Sequence, residues 1–409
     1  MNGDRNLIVY LNVPFCASKC HFCDWVQEIP VNDLRLTSAS SRRQAYIHAL
    51  QKQIAYYGPR LMDEGYRPRI LYWGGGTGNI LTVDETRVLM DTLHQHLHLD
   101  DIDEATIEGS PENFTLPQLR VLREVGFNRV SIGVQSLDDD RLRHLGRTHS
   151  TVQAMRSVFD AREAGFADIS IDLITGFPDE TLDELENSMQ KVLALPIDHA
   201  SVYPYRPASR TVMQRMLRHG STGKLDLEEQ LAAYARCAQL FIDAGYPEYS
   251  FGHFGYPISR SDMAYFKLEM DWIGFGSGAS SLFGKRCYGT TRGMLDQFIA
   301  NPTVFDTDVA ASDPTVTGHA FYQALSTPEG AVAWRWRERT GVELDEILKQ
   351  PPVTEILRYM AGAAVLRYDA DGVRLPRECI AGAYINLLFL NAPQESQSRT
   401  PAGSNFGGF

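Results

Sequence analysis

Cys16, Cys20 and Cys23 stand in the spacing C-x3-C-x2-C within the segment Tyr10-Leu11-Asn12-Val13-Pro14-Phe15-Cys16-Ala17-Ser18-Lys19-Cys20-His21-Phe22-Cys23-Asp24-Trp25. Three thiolates on one loop leave one iron of a [4Fe–4S] cubane without a protein ligand, because a cluster held wholly by protein normally takes four. An iron with an open position can be chelated by the amino and carboxylate groups of a small molecule, which inner-sphere electron transfer to that molecule requires. A structural zinc site wants four ligands, usually one C-x2–4-C pair and a second pair far off. His21 offers a fourth donor by composition, but it lies inside the loop, where reaching the same ion is awkward. Incidental buried cysteines would not usually fall at three such close positions, so the spacing favours the cluster. Cys237, Cys287 and Cys379 are isolated in sequence and read as packed thiols.

The elements that must position this loop recur at a regular beat. Strand-like runs fall at Leu7–Val13, Arg69–Trp73, Ala105–Gly109, Arg129–Val134, Asp168–Ile174 and His199–Tyr203. Helical apolar spacing falls between them, near 42–57, 83–97, 116–125, 151–164 and 181–194, with a shorter helical turn near 138–145. Many of the strands are rich in Val and Ile with little alternation, as parallel strands buried on both faces are. Six strand–helix units imply an α/β fold, an open partial (β/α)6 barrel of the TIM type. Such barrels carry their chemistry in the loops at the C-terminal ends of the strands. The cysteine loop, Gly74-Gly75-Gly76-Thr77, Glu108, Gln135 and Asp172 all fall at such ends.

Beyond this unit, taken as residues 1–215, the pattern changes. A helix near 226–244 precedes a stretch at 245–290 rich in Gly and aromatic residues, and 216–310 reads as an extension of the barrel. Residues 311–390 read as a mainly helical lid or substrate domain, with helices at 329–340, 343–349, 353–363 and 377–390. A small β wing, Val365–Tyr368 with Gly372–Leu375, is expected between the last two. The tail 391–409 is expected to be disordered and residues 31–43 to form a mobile loop. Tyr246, Tyr249, Phe251, Phe254 and Tyr256 read as core or as a substrate wall, and Trp334 and Trp336 as packing residues.

The composition sets limits on partners. The chain has 409 residues, 44% hydrophobic and 22% charged, with a formal net charge of −12, which argues against a general nucleic-acid binder. No run of 18 apolar residues suggests a membrane span, and no basic start leads into an apolar signal segment, so a cytoplasmic protein is expected.

C-x3-C-x2-C with an aromatic residue before its last cysteine resembles the signature of radical S-adenosylmethionine (SAM) proteins. Residues 7–290 more narrowly resemble the oxygen-independent coproporphyrinogen dehydrogenase-like branch. The resemblance runs through Gly74-Gly75-Gly76-Thr77, Asn128-Arg129-Val130-Ser131-Ile132-Gly133-Val134-Gln135-Ser136 and Leu145-Gly146-Arg147-Thr148-His149. It continues through Asp172-Leu173-Ile174-Thr175-Gly176-Phe177-Pro178 and Gly274-Phe275-Gly276-Ser277-Gly278-Ala279-Ser280. It implies two SAM molecules beside a [4Fe–4S] cluster. Gly75 and Glu108 would face the first, flanked by Tyr10 and the backbone at Arg206 and Ser280. Gly76, Thr77, Gln135, Arg147 and Asp172 would hold the second, with Phe22 packed against it. These residue types suit that ligand: carboxylates for ribose hydroxyls or an ammonium, Arg for a carboxylate, Gly for close backbone approach. Read without the resemblance, the Gly run could be a turn, and each polar residue a barrel-rim hydrogen bond or salt bridge. Gly78 stands where the family usually has Pro, which implies a looser loop.

Members of this branch include porphyrinogen-oxidising enzymes, cyclopropane-forming enzymes, haem chaperones and class C radical methylases. Haem chaperones commonly carry a His-Asn and a Tyr-Trp pair near the segment that here reads Arg260-Ser261-Asp262-Met263-Ala264-Tyr265-Phe266, and neither pair is present. The cluster loop from Val13 to Val26 looks most like the class C methylases of thiopeptide and related pathways. The resemblance therefore implies a C-methyltransferase acting on an sp2 carbon of a thiazole or indole, in a peptide or small heteroaromatic substrate. A reduced flavodoxin or ferredoxin would donate the electron on the face nearest the cluster. Porphyrinogen-type oxidation, cyclopropanation and haem delivery are the alternatives.

Overall fold

The computed structural model describes residues 5–25, 42–208, 210–223, 225–363, 366–381 and 383. The expected mobile loop at 31–43 falls almost wholly, and the tail at 391–409 wholly, outside them; the last expected helix, 377–390, is described only at its start.

The first half alternates strand and helix: β1 (Arg5–Val13), α1 (Arg42–Asp63), β2 (Tyr66–Gly75), α2 (Val83–Leu97), β3 (Glu104–Gly109), α3 (Leu116–Glu124) and β4 (Arg129–Gln135). There follow α4 (Asp139–His144), α5 (Thr151–Glu163), β5 (Asp168–Thr175), α6 (Leu182–Leu193) and β6 (His199–Pro204). Several helix starts are set locally by capping boxes: Thr82 with Glu85, Ser150 with Gln153 and Thr181 with Glu184. β1 to β6 lie side by side in sequence order and pair in parallel. The α/β barrel expected from the sequence is therefore present.

The second half adds what the sequence reading did not resolve. It runs α7 (Val212–Arg218), α8 (Leu227–Asp243), β7 (Glu248–Ser250), β8 (His253–Gly255), α9 (Arg260–Phe266), β9 (Asp271–Phe275), β10 (Ser280–Phe283), β11 (Arg286–Gly289), α10 (Leu295–Ala300) and β12 (Thr307–Ala310). β9 is a seventh parallel strand, laid beside β1 with Tyr10 opposite Gly274. β10, β11 and β12 continue the sheet antiparallel beyond it, while β8 and β7 extend it antiparallel beyond β6. The stretch 245–290 thus carries five short strands and α9. Its strands are only three to five residues long, too short to show a period.

The last elements are α11 (Pro314–Leu325), β13 (Ala331–Val332), α12 (Ala333–Thr340), α13 (Leu344–Ile347), α14 (Pro351–Ala363), β14 (Arg367–Asp369) and β15 (Gly372–Arg374). The small wing is a three-stranded antiparallel sheet in which β13 joins the expected hairpin. α11 was not expected; it packs with α9 and α14 in a second core that includes Tyr265, Trp272, Phe321 and Trp336. Trp336 is buried as expected, whereas Trp334 is exposed beside Arg335.

Alternate strand residues divide the barrel into two environments. Val9, Leu11, Leu71, Trp73, Ala105, Ile107, Val130, Ile132, Ile169, Ile171, Ala200 and Val202 pack in one core with the surrounding helices. The opposite set on β3 to β6 is polar: Glu104, Thr106 and Glu108; Arg129 and Ser131; Asp168, Ser170 and Asp172; His199, Ser201 and Tyr203. The lumen on that side is thus lined by hydrogen-bonding groups rather than by layered aliphatic residues. α9 closes it from below. Glu104 accepts from the backbone N–H groups of Arg260 (2.8 Å) and Ser261 (3.1 Å), which fastens the helix start to β3.

Glu104→Ala leaves those two amides without their acceptor, while Arg129 keeps Asp168. It should lower unfolding free energy by about 1–3 kcal/mol, read as a lower urea midpoint. A midpoint equal to that of the parent would contradict this anchoring.

Candidate functional site

β1 ends in the cysteine loop, and β2 ends in the glycine loop that faces it. The Gly76 N–H donates to the Val13 carbonyl at 2.8 Å, joining the two loops at their roots. A Cβ on Gly76 would lie 2.8 Å from the Phe15 carbonyl oxygen and 3.0 Å from Cys16 Sγ, so this position has no room for a side chain. Gly75 has φ +110°, and a Cβ there would meet Asn12 Oδ1 at 2.2 Å. Thr77 donates its hydroxyl to Cys16 Sγ at 3.3 Å. Gly78 does not loosen this loop. A Cβ there would come within 2.6 Å of the Glu108 carbonyl, and the next residue, Asn79, bonds both backbone groups of Ser110.

Cys16 is buried, whereas Cys20 and Cys23 are partly accessible. Burial pushes the Cys16 thiol up to about 12, opposed by the Thr77 hydroxyl. At neutral pH it therefore becomes a thiolate only beside a cation, and a thiolate is what a metal takes. Arg147 Nη1 donates to Cys20 Sγ at 3.2 Å, and the Trp25 N–H to Cys23 Sγ at 3.3 Å. Each thiol is thus held by a different donor. A structural zinc ion takes four protein ligands, whereas a cubane with three thiolates keeps one iron for a ligand that is not protein. The donor set, the constricted Gly76 and the neutral buried thiol fit an iron–sulfur cluster.

The other expected residues gather in two groups. Glu108 stands inside the mouth of the barrel, with the Tyr72 hydroxyl and the Gly75 amide hydrogen-bonded to it. Burial, with the nearby Asp172 adding to it, pushes its carboxyl up to about 8. Tyr10 stacks on Tyr72 with centroids 6.1 Å apart and donates to Asn12 Oδ1 at 3.1 Å. Asp172 accepts from Ser131 Oγ at 3.2 Å on each oxygen, and burial pushes it up to about 6 against the pull of Arg129. Two carboxyls in this space are each held toward their neutral form, the condition that a cationic ligand would relieve.

The second group lies across β3 and β4. Arg147 Nη2 donates to the Gly133 carbonyl at 2.7 Å and to Ser110 Oγ at 3.2 Å. Gln135 ends β4 at a register shift with φ +69°, a bulge that re-aims its side chain. A Cβ on Gly133 would lie 3.1 Å from Gln135 Nε2 and 3.7 Å from Arg147 Nη2, so both groups converge over that glycine.

Three expectations fare differently. Phe22 packs in an apolar cluster with Leu145, Phe177, Tyr205 and Met213, which gives it a structural contact of its own. Arg206 is exposed after β6, and Ser280 is buried in β10, its carbonyl beside Gly274. Of the aromatic run, Phe254 is core and Tyr249 buried, while Tyr256 is exposed.

Sequence reasoning missed Asn12, Tyr72 and Arg292. Asn12 is buried, and its Nδ2 donates to the Ser277 carbonyl at 2.6 Å, tying the cysteine loop to the turn after β9. Its spacing of two from Tyr10 on one strand was the available signal. Arg292 lies 3.7 Å from the Trp25 ring centroid, a contact that no local pattern announces.

Residues 12–192 match the Radical SAM superfamily. The chain is 31% identical over 284 residues to the haem chaperone HemW of Bacillus subtilis, covering 67% of this chain and 70% of that protein. The chain belongs to the radical SAM superfamily. A [4Fe–4S] cluster and SAM are the cofactors of that superfamily, as the cysteine loop implied. Similarity extends to HemW of Lactococcus lactis, 28% identical and covering 66% of this chain and 68% of that protein. Among solved structures, coproporphyrinogen III oxidase (HemN) from Escherichia coli has the same fold, with a TM-score of 0.73 at 22% identity, covering 94% of this chain and 90% of that one.

These relatives overturn the assignment to class C methylases, and with it the thiazole or indole substrate. The methylase likeness rested on the missing His-Asn and Tyr-Trp pairs near Arg260–Phe266 and on a short cluster loop, whose sequence answers to iron, sulfur and the surrounding backbone. Relationship over 284 residues includes the walls of the barrel and carries more information about the branch. Among the described residues no helix is long and apolar enough to cross a membrane.

The raised Glu108 carboxyl has a measurable consequence in the ligand-free chain. The folded state keeps its proton up to about pH 8, the unfolded state only to the ordinary carboxylate range, so the folded state holds the extra proton between. Stability should therefore fall as pH rises through that window, and Glu108→Gln should flatten the fall. Equal slopes in parent and variant would contradict the buried placement.

Proposed function

We propose that this chain is a haem-handling radical SAM protein of the HemW type, which binds haem and cleaves SAM reductively. The observation that carries the reading is the 31% identity to HemW over two-thirds of both chains. Cys16, Cys20 and Cys23 hold the cluster. When bound, the cluster supplies a low-potential electron to the sulfonium of SAM.

The chain's own residues bind and orient. Glu108, Tyr10 and Gly75, with the backbone at Arg206 and Ser280, take the first SAM. Gln135, Arg147 and Asp172, beside Gly76 and Thr77, take a second, with Phe22 at its edge. The geometry supports this because Glu108 and Asp172 lie within electrostatic reach of one another and lack enough cationic neighbours. Glu104, Asp168 and Asp262 surround Arg129 deeper in the same lumen. Such a lumen favours a sulfonium or ammonium ligand. Haem carries anionic propionates, so the same charge balance favours a haem site outside the lumen.

The test is a pair of titrations on anaerobically reconstituted protein. The parent should show saturable haem uptake by visible absorption, and Glu108→Gln should take up haem equally while binding SAM about tenfold more weakly or worse, a loss of about 1.4 kcal/mol. A parent that takes up no haem but decarboxylates a porphyrinogen would overturn the reading. Haem uptake lost together with SAM binding would overturn the separation of the two sites.

A further inference from the structure

Between Asp198 and Asp226 the chain carries no acidic residue, although its formal net charge is −12. The same stretch carries Arg206, Arg210, Arg215, Arg218 and Lys224, with His199 and His219. A segment of that composition in an acidic chain makes a local positive field. The structure puts the middle of that stretch, α7, against the cluster loop.

α7 lies at the centre of the segment and is bonded directly to that loop. The Met213 N–H donates to the His21 carbonyl at 2.8 Å, between Cys20 and Cys23. Met213 and Leu217 pack in the same apolar cluster as Phe22. The loop is pinned to the end of α4 as well, by the His21 N–H on the Leu145 carbonyl at 2.8 Å and by His21 Nδ1 beside the His144 carbonyl at 2.7 Å. With Met213 and Leu217 turned to the loop, Arg215 and Arg218 are exposed, as are Arg206 and Arg210. Among the described residues no ion pair joins any of these four arginines to a carboxylate. Asp179 accepts from Thr222 Oγ1 at 2.9 Å and the Gly223 N–H at 2.6 Å, and Asp24 lies near Arg292.

We propose that the face formed by α7 and its flanking turns, with Arg210, Arg215 and Arg218 outermost, is the docking surface for an acidic one-electron carrier protein that reduces the cluster. This rests on the iron–sulfur reading and gives its electron a point of entry. The step is a transfer of one electron from the reduced carrier to the oxidised cluster; the carrier is oxidised by one electron, and no bond forms or breaks. Complementary charge accelerates the encounter of two proteins and makes it depend on salt. The seven-residue helix puts the carrier against the part of the cluster loop that bears Cys20 and Cys23. Both of those cysteines are partly accessible, whereas Cys16, on the barrel side, is buried.

The test compares two reductants on the reconstituted full chain, in the parent, in Arg215→Glu/Arg218→Glu and in the milder Arg215→Gln/Arg218→Gln. The probes are photoreduced flavodoxin, an acidic flavin carrier, and dithionite, a small reductant with no need of a docking face. At low ionic strength the Glu pair should slow reduction by flavodoxin about tenfold or more, with the Gln pair between it and the parent. Rising salt should bring the three rates together, and dithionite should reduce all three alike. Flavodoxin rates that are equal in all three overturn the proposal. So does a loss that extends to dithionite, since the arginines would then serve the cluster itself. A parent that neither reductant reduces would defeat the iron–sulfur reading instead.

Discussion

Glu104, Glu108, Asp168, Asp172 and Asp262 share one barrel interior with Arg129 between them, and Cys16 lies buried at its mouth. Ionised carboxylates and thiolates are expensive to bury without positive partners; Glu108 and Cys16 respond by holding their protons, and burial raises Asp172 toward its neutral form. The molecule is therefore built with a deficit of positive charge that iron and a sulfonium ligand can fill. Much else in the structure maintains that deficit. Trp73, Ile107, Ile132 and Ile171 take the hydrophobic burden on the helix side of the strands, which frees the lumen side for polar groups.

The deficit also explains how the barrel is closed. An ordinary closed barrel fills its interior with aliphatic layers. Here part of the interior is covered instead by α9, whose first amides bond to Glu104, and by the second core around Tyr265 and Trp272. The mouth remains for ligands. The loops that form it are stiff: Asn12 reaches the turn after β9, Asn79 fixes the glycine loop to Ser110, and Arg147 spans Cys20, Ser110 and Gly133. Such pinning holds reacting groups in place without large motions.

The barrel was legible in the sequence because its strands are six to ten residues long and its helices are long enough to show a 3.6-residue period. The cysteine spacing was legible for a chemical reason, since a cluster dictates its own ligands. The region after 245 was opaque, because β7 to β12 are short and β9 joins the sheet beside β1, far away in sequence. Arg292 over Trp25 and Glu104 beneath α9 are likewise products of tertiary contact. Gly78 shows the opposite error: its lack of a side chain suggested slack, but the Glu108 carbonyl occupies the space a side chain would need. The substrate class was misread because fourteen residues around the cluster, and two residue pairs missing near Arg260–Phe266, were weighed above the rest of the barrel.

Electron paramagnetic resonance of the anaerobically reconstituted, dithionite-reduced chain, before and after adding SAM, tests the vacant iron most directly. Binding of the amino and carboxylate groups at that iron should alter the g-values of the reduced cubane. 5′-Deoxyadenosine should then accumulate in the same sample. A reduced-cluster spectrum that SAM leaves unchanged, or a chain that retains only zinc, would contradict the account.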